Sequence, residues 1–583
     1  MSYLPHIIKV FCFTFFYSLI WIWQGFDVSD EGVNLTWQWL MSINAKEAPY
    51  DYMWLSNAVG GFWLNIFPSL GIIWARLGWT LLISLISVTS FLIIAPNIGP
   101  KQAVNAAIIT SLILLHWMVF LIDYNTLPTF ILLLSIASIL KAYRCHNVYF
   151  FCFWQICAGL LIGLAIHCRF PLVLAVSLFL AVPVVNIFVE KSKFIRRDSV
   201  GIVLSLTAVI FSFALCLAYL NSISRLDEYL MFLKTSINAP TDDLHALDTI
   251  LARTFSTMKS GLKNGAILIF FGTILMLFFA KLNTVEQRYI RPVFSIIIFV
   301  MIIQITGGLT GPSFGYEFSK MLFGVSCFLS FAVGFMLLRE PQKGKKIDDL
   351  RLLALAMLSM FLVFAGSNVA AAKSNYALWL LFPFVCFKFI ELIQGKTKYF
   401  QTQNIKHLLV WGMISLAVAG ITIKYSNPFR DLNHRFLLTS EIDTPLTKGI
   451  YSSEGRAKCF SSVYNALQPL IKPGDRLLAT SNFPMIHFAT QTLPYLGNPK
   501  PKDLRLDQIK LKLTQIKSEQ ALPNIIVRNT INTGNLFWGH APAPTVLDRY
   551  PPVKEINNFI SEYGYIQIWK NECFELLSRH SDG

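Results

Sequence analysis

Apolar residues in this chain fall in long unbroken blocks separated by short polar stretches, with little strict alternation. A block of about twenty apolar residues matches the hydrocarbon core of a bilayer. Without water, the backbone there must bond to itself, as a helix. The pattern predicts spans at 5–23, 77–95, 103–122, 126–141, 148–167, 171–189, 200–220, 264–280, 292–309, 320–338, 352–367, 376–394 and 407–423. This is an all-α polytopic membrane domain of about thirteen transmembrane helices. Residues 59–75 are apolar as well, but Pro68 and the paired Gly60 and Gly61 suggest a broken interfacial helix rather than a span.

From residue 424 the pattern changes in kind. KPGDRLLATS reads as a turn and a strand, FPMIHFATQT as a short helix, and LPNIIVRNT as a second strand. INNFISEYGYIQIWKNECFELLSR reads as a helix followed by a hairpin. Strands alternating with helices predict a small α/β layer. Residues 1–423 are therefore expected to form the membrane domain, with a first outer loop at 24–76 carrying interfacial helices. Residues 424–583 are expected to form a soluble α/β domain.

Charge orients this arrangement. Only 14% of the residues are charged, too few for a soluble chain of 583 residues, and the formal net charge is +16. Lys and Arg gather in the short loops at 100–101, 141–144, 190–197, 281–291, 339–351 and 393–407, which marks those loops as cytoplasmic. The basic balance is thereby accounted for, and no nucleic-acid partner is implied. The longer polar segments, 24–58 and 221–263, lie opposite. The N-terminus is expected in the cytoplasm and 424–583 in the periplasm of a cell inner membrane. The first apolar run lacks a small-residue cleavage site and reads as a retained span. Of ten cysteines, only Cys459 and Cys573 fall in the soluble domain. In an oxidising compartment they can pair in one way; otherwise they are two free thiols.

The candidate chemistry begins where the chain leaves the first span, in GFDVSDEGVNLTWQWL (25–40). Asp27, Asp30 and Glu31 cluster there, and Val33, Trp37, Leu40 and Met41 recur at helical spacing, as in an amphipathic helix lying on the bilayer. Ser29 is a favoured N-cap, and acids in a first turn also complement the helix dipole. Asp123, in LIDYNTLP, is the one acid of the next outer turn, where an Asp can simply bond its own backbone. Cations break the outer-face pattern: His167 and Arg169 after the fifth span, Lys373 in GSNVAAAKSNY, and Lys320 following Tyr316 and Glu317. Such groups suit an anionic headgroup phosphate, or snorkel to bulk lipid. The acids of 221–263 (Asp227, Glu228, Asp242, Asp243, Asp248) read as a solvated face.

With that topology, the acidic SDEG at 29–32 after span one and Asp123 in the second outer loop resemble the C-type (GT-C) polytopic membrane glycosyltransferases. That group includes the protein O-mannosyltransferases, the lipid A aminoarabinose transferase and oligosaccharyltransferase catalytic subunits. The resemblance implies a donor sugar on a polyprenyl phosphate, a lipid, glycan or protein acceptor, and membrane lipids as surroundings. It implies Asp30 as base on the acceptor, with Glu31 and Asp27 beside it and Asp123 as second acid. Arg169, His167, Lys373 and Tyr316 become candidates for holding the lipid phosphate. No Asp-X-Asp motif stands in the chain's acidic loop, so a divalent metal cofactor is left open. Two rival readings are an O-antigen ligase or polymerase, which relies on a late outer loop rich in Arg and His, and a non-enzymatic lipid-linked glycan transporter or flippase.

Overall fold

The computed structural model describes residues 3–116, 118–190, 196–238, 247–281, 287–305, 314–339, 345–364, 367, 370–394, 402–432, 434–480, 482–518, 522–533, 538 and 551–579. The chain opens with α1 (Leu4–Leu19), α2 (Asp30–Ser42), α3 (Trp54–Ile66), α4 (Gly71–Ile98), α5 (Pro100–Leu114), α6 (Thr126–Arg144) and α7 (Val148–Cys168). It continues with α8 (Leu178–Glu190), α9 (Arg196–Ser222), α10 (Leu226–Asn238), α11 (Leu247–Lys281), α12 (Gln287–Ile305), α13 (Phe314–Arg339) and α14 (Lys345–Phe364). The last helices of this part are α15 (Ser374–Ala377), α16 (Leu381–Gln394) and α17 (Thr402–Ser426).

Every expected span overlaps one of these helices, as a multi-pass membrane fold requires, but 103–122 runs past the end of α5, 171–189 begins in a 3-10 segment (Phe170–Ser177) ahead of α8, and 376–394 is divided between α15 and α16. The count differs. Among the described residues, seven helices are long and apolar enough to cross a membrane, or eight if the bent pair at 370–377 and 381–393 is one span. α1 and α5 have 16 and 15 residues, and α14 opens on Lys345, Lys346, Asp348 and Asp349. One apolar core, with Ile83, Phe91, Ile136, Ile162, Leu322 and Leu381 among its members, runs through the bundle.

The break expected in 59–75 lies at a 3-10 turn, Pro68–Leu70. α3 runs unbroken through Gly60 and Gly61, which serve close packing instead. A Cβ on Gly60 would stand 2.4 Å from the Gln38 side chain, and one on Gly61 2.4 Å from the Gln38 carbonyl. Helix α2 is a larger departure. It was expected on the bilayer surface, yet Val33, Asn34, Leu35, Thr36, Trp39 and Leu40 are all buried, and between the helix ends only Trp37 and Met41 are half-buried. The soluble domain covers the face that periodicity leaves polar.

That domain comprises β1 (Ser440–Glu441), β2 (Tyr451–Ser452), α18 (Glu454–Leu467), β3 (Arg476–Ala479), α19 (Met485–Thr490), β4 (Leu493–Pro494) and α20 (Leu506–Ser518). β5 (Ile525–Asn529), α21 (Pro551–Glu562), β6 (Tyr565–Lys570) and β7 (Phe574–Arg579) complete it. The sheet order is β4-β3-β5-β7-β6, parallel across β4-β3-β5 and antiparallel across β5-β7-β6. Period-two alternation sends Ile526 and Leu577 to the core shared with α20 and α21. Val527 and Leu576 face the other side, where α18 and α19 join Leu35, Trp39 and Leu40 of α2 and Trp54 of α3. Soluble domain and first loop therefore share one core. Cys459 of α18 is bonded to Cys573, just ahead of β7, with Cα atoms 6.0 Å apart.

Candidate functional site

The acidic loop after α1 separates its carboxylates by what each one bonds. Asp27, 3% exposed, turns back on the chain and accepts the N–H groups of Ser29 at 2.9 Å, Asp30 at 2.9 Å and Glu31 at 3.0 Å. It thus takes three of the donors that a helix start leaves without a partner. Burial raises the Asp27 pKa, with Arg430 opposing and Asp30 adding to the rise. Ser29, the expected cap, does not cap α2. Its hydroxyl donates to Asn482 Oδ1 at 2.8 Å and accepts from Arg430 Nη1 at 3.0 Å.

Glu31 is spent on Arg76 of α4. The two side chains are 4% and 3% exposed and meet in a fork, Nε to Oε1 at 2.7 Å and Nη2 to Oε2 at 2.8 Å. Asp30 alone of the three reaches solvent, its side chain 31% exposed. It accepts from Arg430 Nη2 at 2.8 Å and Lys500 Nζ at 3.2 Å. Burial on its own would raise the Asp30 pKa, but Lys500 and Arg430 outweigh it and hold the carboxyl below the usual range. Reciprocally, Asp30 and Asp503 outweigh burial at Lys500 and lift it to about 12.

Asp123 is 1% exposed and organises its own turn. Its Oδ1 accepts the backbone N–H of Asn125 at 3.0 Å and of Thr126 at 2.8 Å, and Oδ2 accepts Asn125 Nδ2 at 2.9 Å. This caps α6, the local role open to such an Asp. Asn125 passes the contact on, its Oδ1 accepting from Lys373 Nζ at 3.2 Å. The Lys373 ammonium also lies 5.1 Å from the centre of the Tyr124 ring. Burial, then Asp123 and Asp30, push the Tyr124 phenol up to about 12. Asp30 and Asp123 both act on Lys373, beside Arg169. Arg169, 4% exposed, donates to the Val363 carbonyl at 2.7 Å.

The structure thus brings Asp27, Asp30, Glu31, Asp123, Arg169 and Lys373 into one neighbourhood, with Tyr316 in electrostatic reach of Arg430 and Asp30. It does not bring His167 there. That imidazole is fully buried against Phe213 at 4.5 Å, with its Nδ1 accepting from Trp54 Nε1 at 3.2 Å. Lys320 pairs with Glu317 on its own helix. Asp227 and Glu228 open α10, while Asp242 and Asp243 lie outside the described residues. Among the described residues, no three of His, Cys, Asp and Glu converge as ligands for a metal.

Four partners were not anticipated: Arg430, Lys500, Asn482 and Arg76. Arg430 had a signal, since NPFRDLNHRF places cations straight after the last apolar block. Lys500 and Asn482 sit in ordinary turns of the soluble domain and carried none.

No family model matches the chain, and no curated protein sequence matches it. Solved structures do. The crystal structure of ArnT from Cupriavidus metallidurans bound to undecaprenyl phosphate is similar over 99% of this chain and 98% of its own, at TM-score 0.42 and 13% identity. The apo state of the same protein covers 98% and 97% at 0.44 and 12%. The archaeal oligosaccharyltransferase AglB from Archaeoglobus fulgidus, in complex with an inhibitory peptide and a dolichol-phosphate, covers 100% of this chain and 74% of its own at 0.47 and 11%.

Proposed function

We propose that this chain is a membrane glycosyltransferase that moves a sugar from a polyprenyl-phosphate donor to a lipid, glycan or protein acceptor at the outer face of an inner membrane. One observation carries the reading. Of the four acids singled out in the sequence, Asp27 and Asp123 are consumed as helix caps and Glu31 as a buried ion pair. Asp30 remains, partly exposed, ionised and held in place.

In this reading Asp30 takes the proton of the acceptor hydroxyl as that oxygen bonds the anomeric carbon. The bond from that carbon to the phosphate oxygen breaks, and the lipid phosphate leaves with the electron pair. Such a base contributes about 100- to 10,000-fold. Arg169 and Lys373, on the membrane side, supply positive charge where the leaving phosphate gains negative charge. Lys500 must give way for a hydroxyl to reach the Asp30 oxygen it occupies, which also restores basicity to that carboxylate. Asp27, Glu31 and Asp123 hold the scaffold. Tyr316 acts on the Arg430–Asp30 pair from α13, and His167, packed on Trp54 and Phe213, takes no part. Residues 1–423 are read as the catalytic membrane domain and 424–583 as the outer domain. The Cys459–Cys573 bond supports an oxidising compartment for the latter.

The test is transfer of labelled sugar from undecaprenyl-phosphate sugars in proteoliposomes. Asp30→Asn is expected to abolish transfer while the protein stays monodisperse in detergent. Unchanged transfer removes Asp30 from the chemistry.

A further inference from the structure

The segment joining α1 to the acidic loop has no regular structure, yet every carbonyl from Trp21 to Phe26 has a partner outside it. Arg435 takes the carbonyls of Trp21 at 3.4 Å and Gln24 at 2.8 Å. Arg76 takes Ile22 at 2.6 Å and Gly25 at 2.7 Å. The Tyr451 N–H takes Trp23 at 2.8 Å, and Arg456 Nη1 takes Phe26 at 2.7 Å. Three buried guanidinium groups from three separate parts of the fold hold a stretch that would otherwise need water.

Phe26 is held most fully, and by a single ion pair. Its N–H donates to Asp431 Oδ2 at 2.7 Å, and its carbonyl accepts from Arg456. Arg456 and Asp431 are themselves 0% exposed and pair with each other, Nε to Oδ1 at 3.4 Å. Asp431 is anchored further by the Ser452 hydroxyl at 2.6 Å. The same Arg456 Nη1 donates to the Arg430 carbonyl at 2.6 Å. One nitrogen therefore fixes both sides of the candidate site: Phe26 leads into the Asp27 cap that sets Asp30, and Arg430 supplies the cation on Asp30. α18 carries Arg456, and one turn on it carries Cys459 of the disulfide and Phe460, whose ring packs on Phe26 at 4.8 Å.

We infer that Arg456 and Asp431 are positioning residues, acting through Phe26 and the Arg430 backbone to hold the Arg430 guanidinium against Asp30. The inference builds on the role proposed for Asp30. Lysine at 456 keeps a charge for Asp431 but lacks the planar fork that serves two carbonyls and a carboxylate at once. Arg430 then drifts, and Asp30 loses part of the field that holds its carboxyl low. The other groups facing Asp30 are Lys500, Lys502, Asp27, Lys373, Tyr124 and Tyr316, and the substitution leaves each of them in the chain.

The test needs no sugar donor. Carbodiimide labels protonated carboxyls, so labelling of Asp30 in the full-length protein, read by mass spectrometry on acidification from about pH 5 to pH 2 with the fold checked by circular dichroism at each step, reports the onset of its titration. Arg456→Lys is expected to move the labelling curve up by about one pH unit, as loss of a close opposite charge does. Arg430→Gln is expected to move it similarly, and the double variant no further than Arg430→Gln alone. If Arg430→Gln shifts the curve and Arg456→Lys does not, Arg456 is merely structural and the inference fails. It fails equally if neither shifts it, or if the two shifts add. Should Arg456→Lys not fold, Asp431→Asn, which keeps an acceptor for the Phe26 N–H, is read against the same expectations. Failure of the transferase reading would appear separately, as sugar transfer that survives Asp30→Asn.

Discussion

Asp27, Asp30 and Glu31 lie within five residues of one another and end in three different chemical states. Glu31 meets Arg76 in a site closed to water. Removing one partner of such a pair strands a buried charge, and typically costs about 3–5 kcal/mol. Glu31→Gln is therefore expected to lower stability by that order in detergent denaturation. Asp51 offers a different test. It is 9% exposed, accepts the Met53 N–H at 2.9 Å, and burial pushes its carboxyl up to about 7. Its folded pKa thus lies above its unfolded value near 4. Between roughly pH 4 and pH 7 the folded state binds more protons, so stability falls as pH rises through that window. Asp51→Asn is expected to raise the unfolding temperature at pH 8 and to leave it nearly unchanged at pH 4. Equal effects at both pH values would mean that Asp51 is not held protonated.

At the scale of elements, α2 shows how a helix with a polar face can be buried. Its cap lies outside it, in Asp27, and its middle is crossed by other backbones. A Cβ on Gly32 would stand 2.5 Å from the Met485 nitrogen, where α19 begins. Thr36 donates to the Pro484 carbonyl at 3.0 Å across the same seam. Asp27→Ala is expected to cost about 1–2 kcal/mol as a lost cap. Gly32→Ala is expected to unseat α19, seen as faster proteolysis within 424–583. The spans of the bundle were legible because hydrocarbon admits one backbone solution. Strands β3 and β5, helices α19 and α21, and the β6–β7 hairpin were legible from run length and turn residues. The burial of α2 was not legible, because an amphipathic repeat reports a face but not what covers it.

Across the whole molecule, the candidate site belongs to neither part of the chain alone. Asp30 comes from the first loop, Arg430 from the exit of α17, and Asn482 and Lys500 from the soluble domain. The Cys459–Cys573 bond closes a loop of sequence separation 114 behind them. Removing it through Cys459→Ser is expected to cost about 2–5 kcal/mol. Loss of transfer should accompany the lowered unfolding temperature, since α18 also carries Arg456. Thiol alkylation before and after reduction, followed by peptide mass spectrometry, checks the pairing directly.

Hydropathy and charge, read along the chain, were enough for a multi-pass helical body, a small α/β domain after it, and an acidic cluster at the first exit from the bilayer. Those properties depend on runs of neighbours, where bilayer thickness and backbone bonding leave few alternatives. Which acid stays open to solvent was a matter for the folded chain. Asp27 and Asp123 are taken up by backbone N–H groups of their own turns, whereas Glu31 and Asp30 are told apart by Arg76, Arg430 and Lys500. Those partners are 45, 400 and 470 residues away from the acids they meet. The charge, basicity and access of Asp30 and Glu31 follow from these distant contacts, which no local pattern encodes.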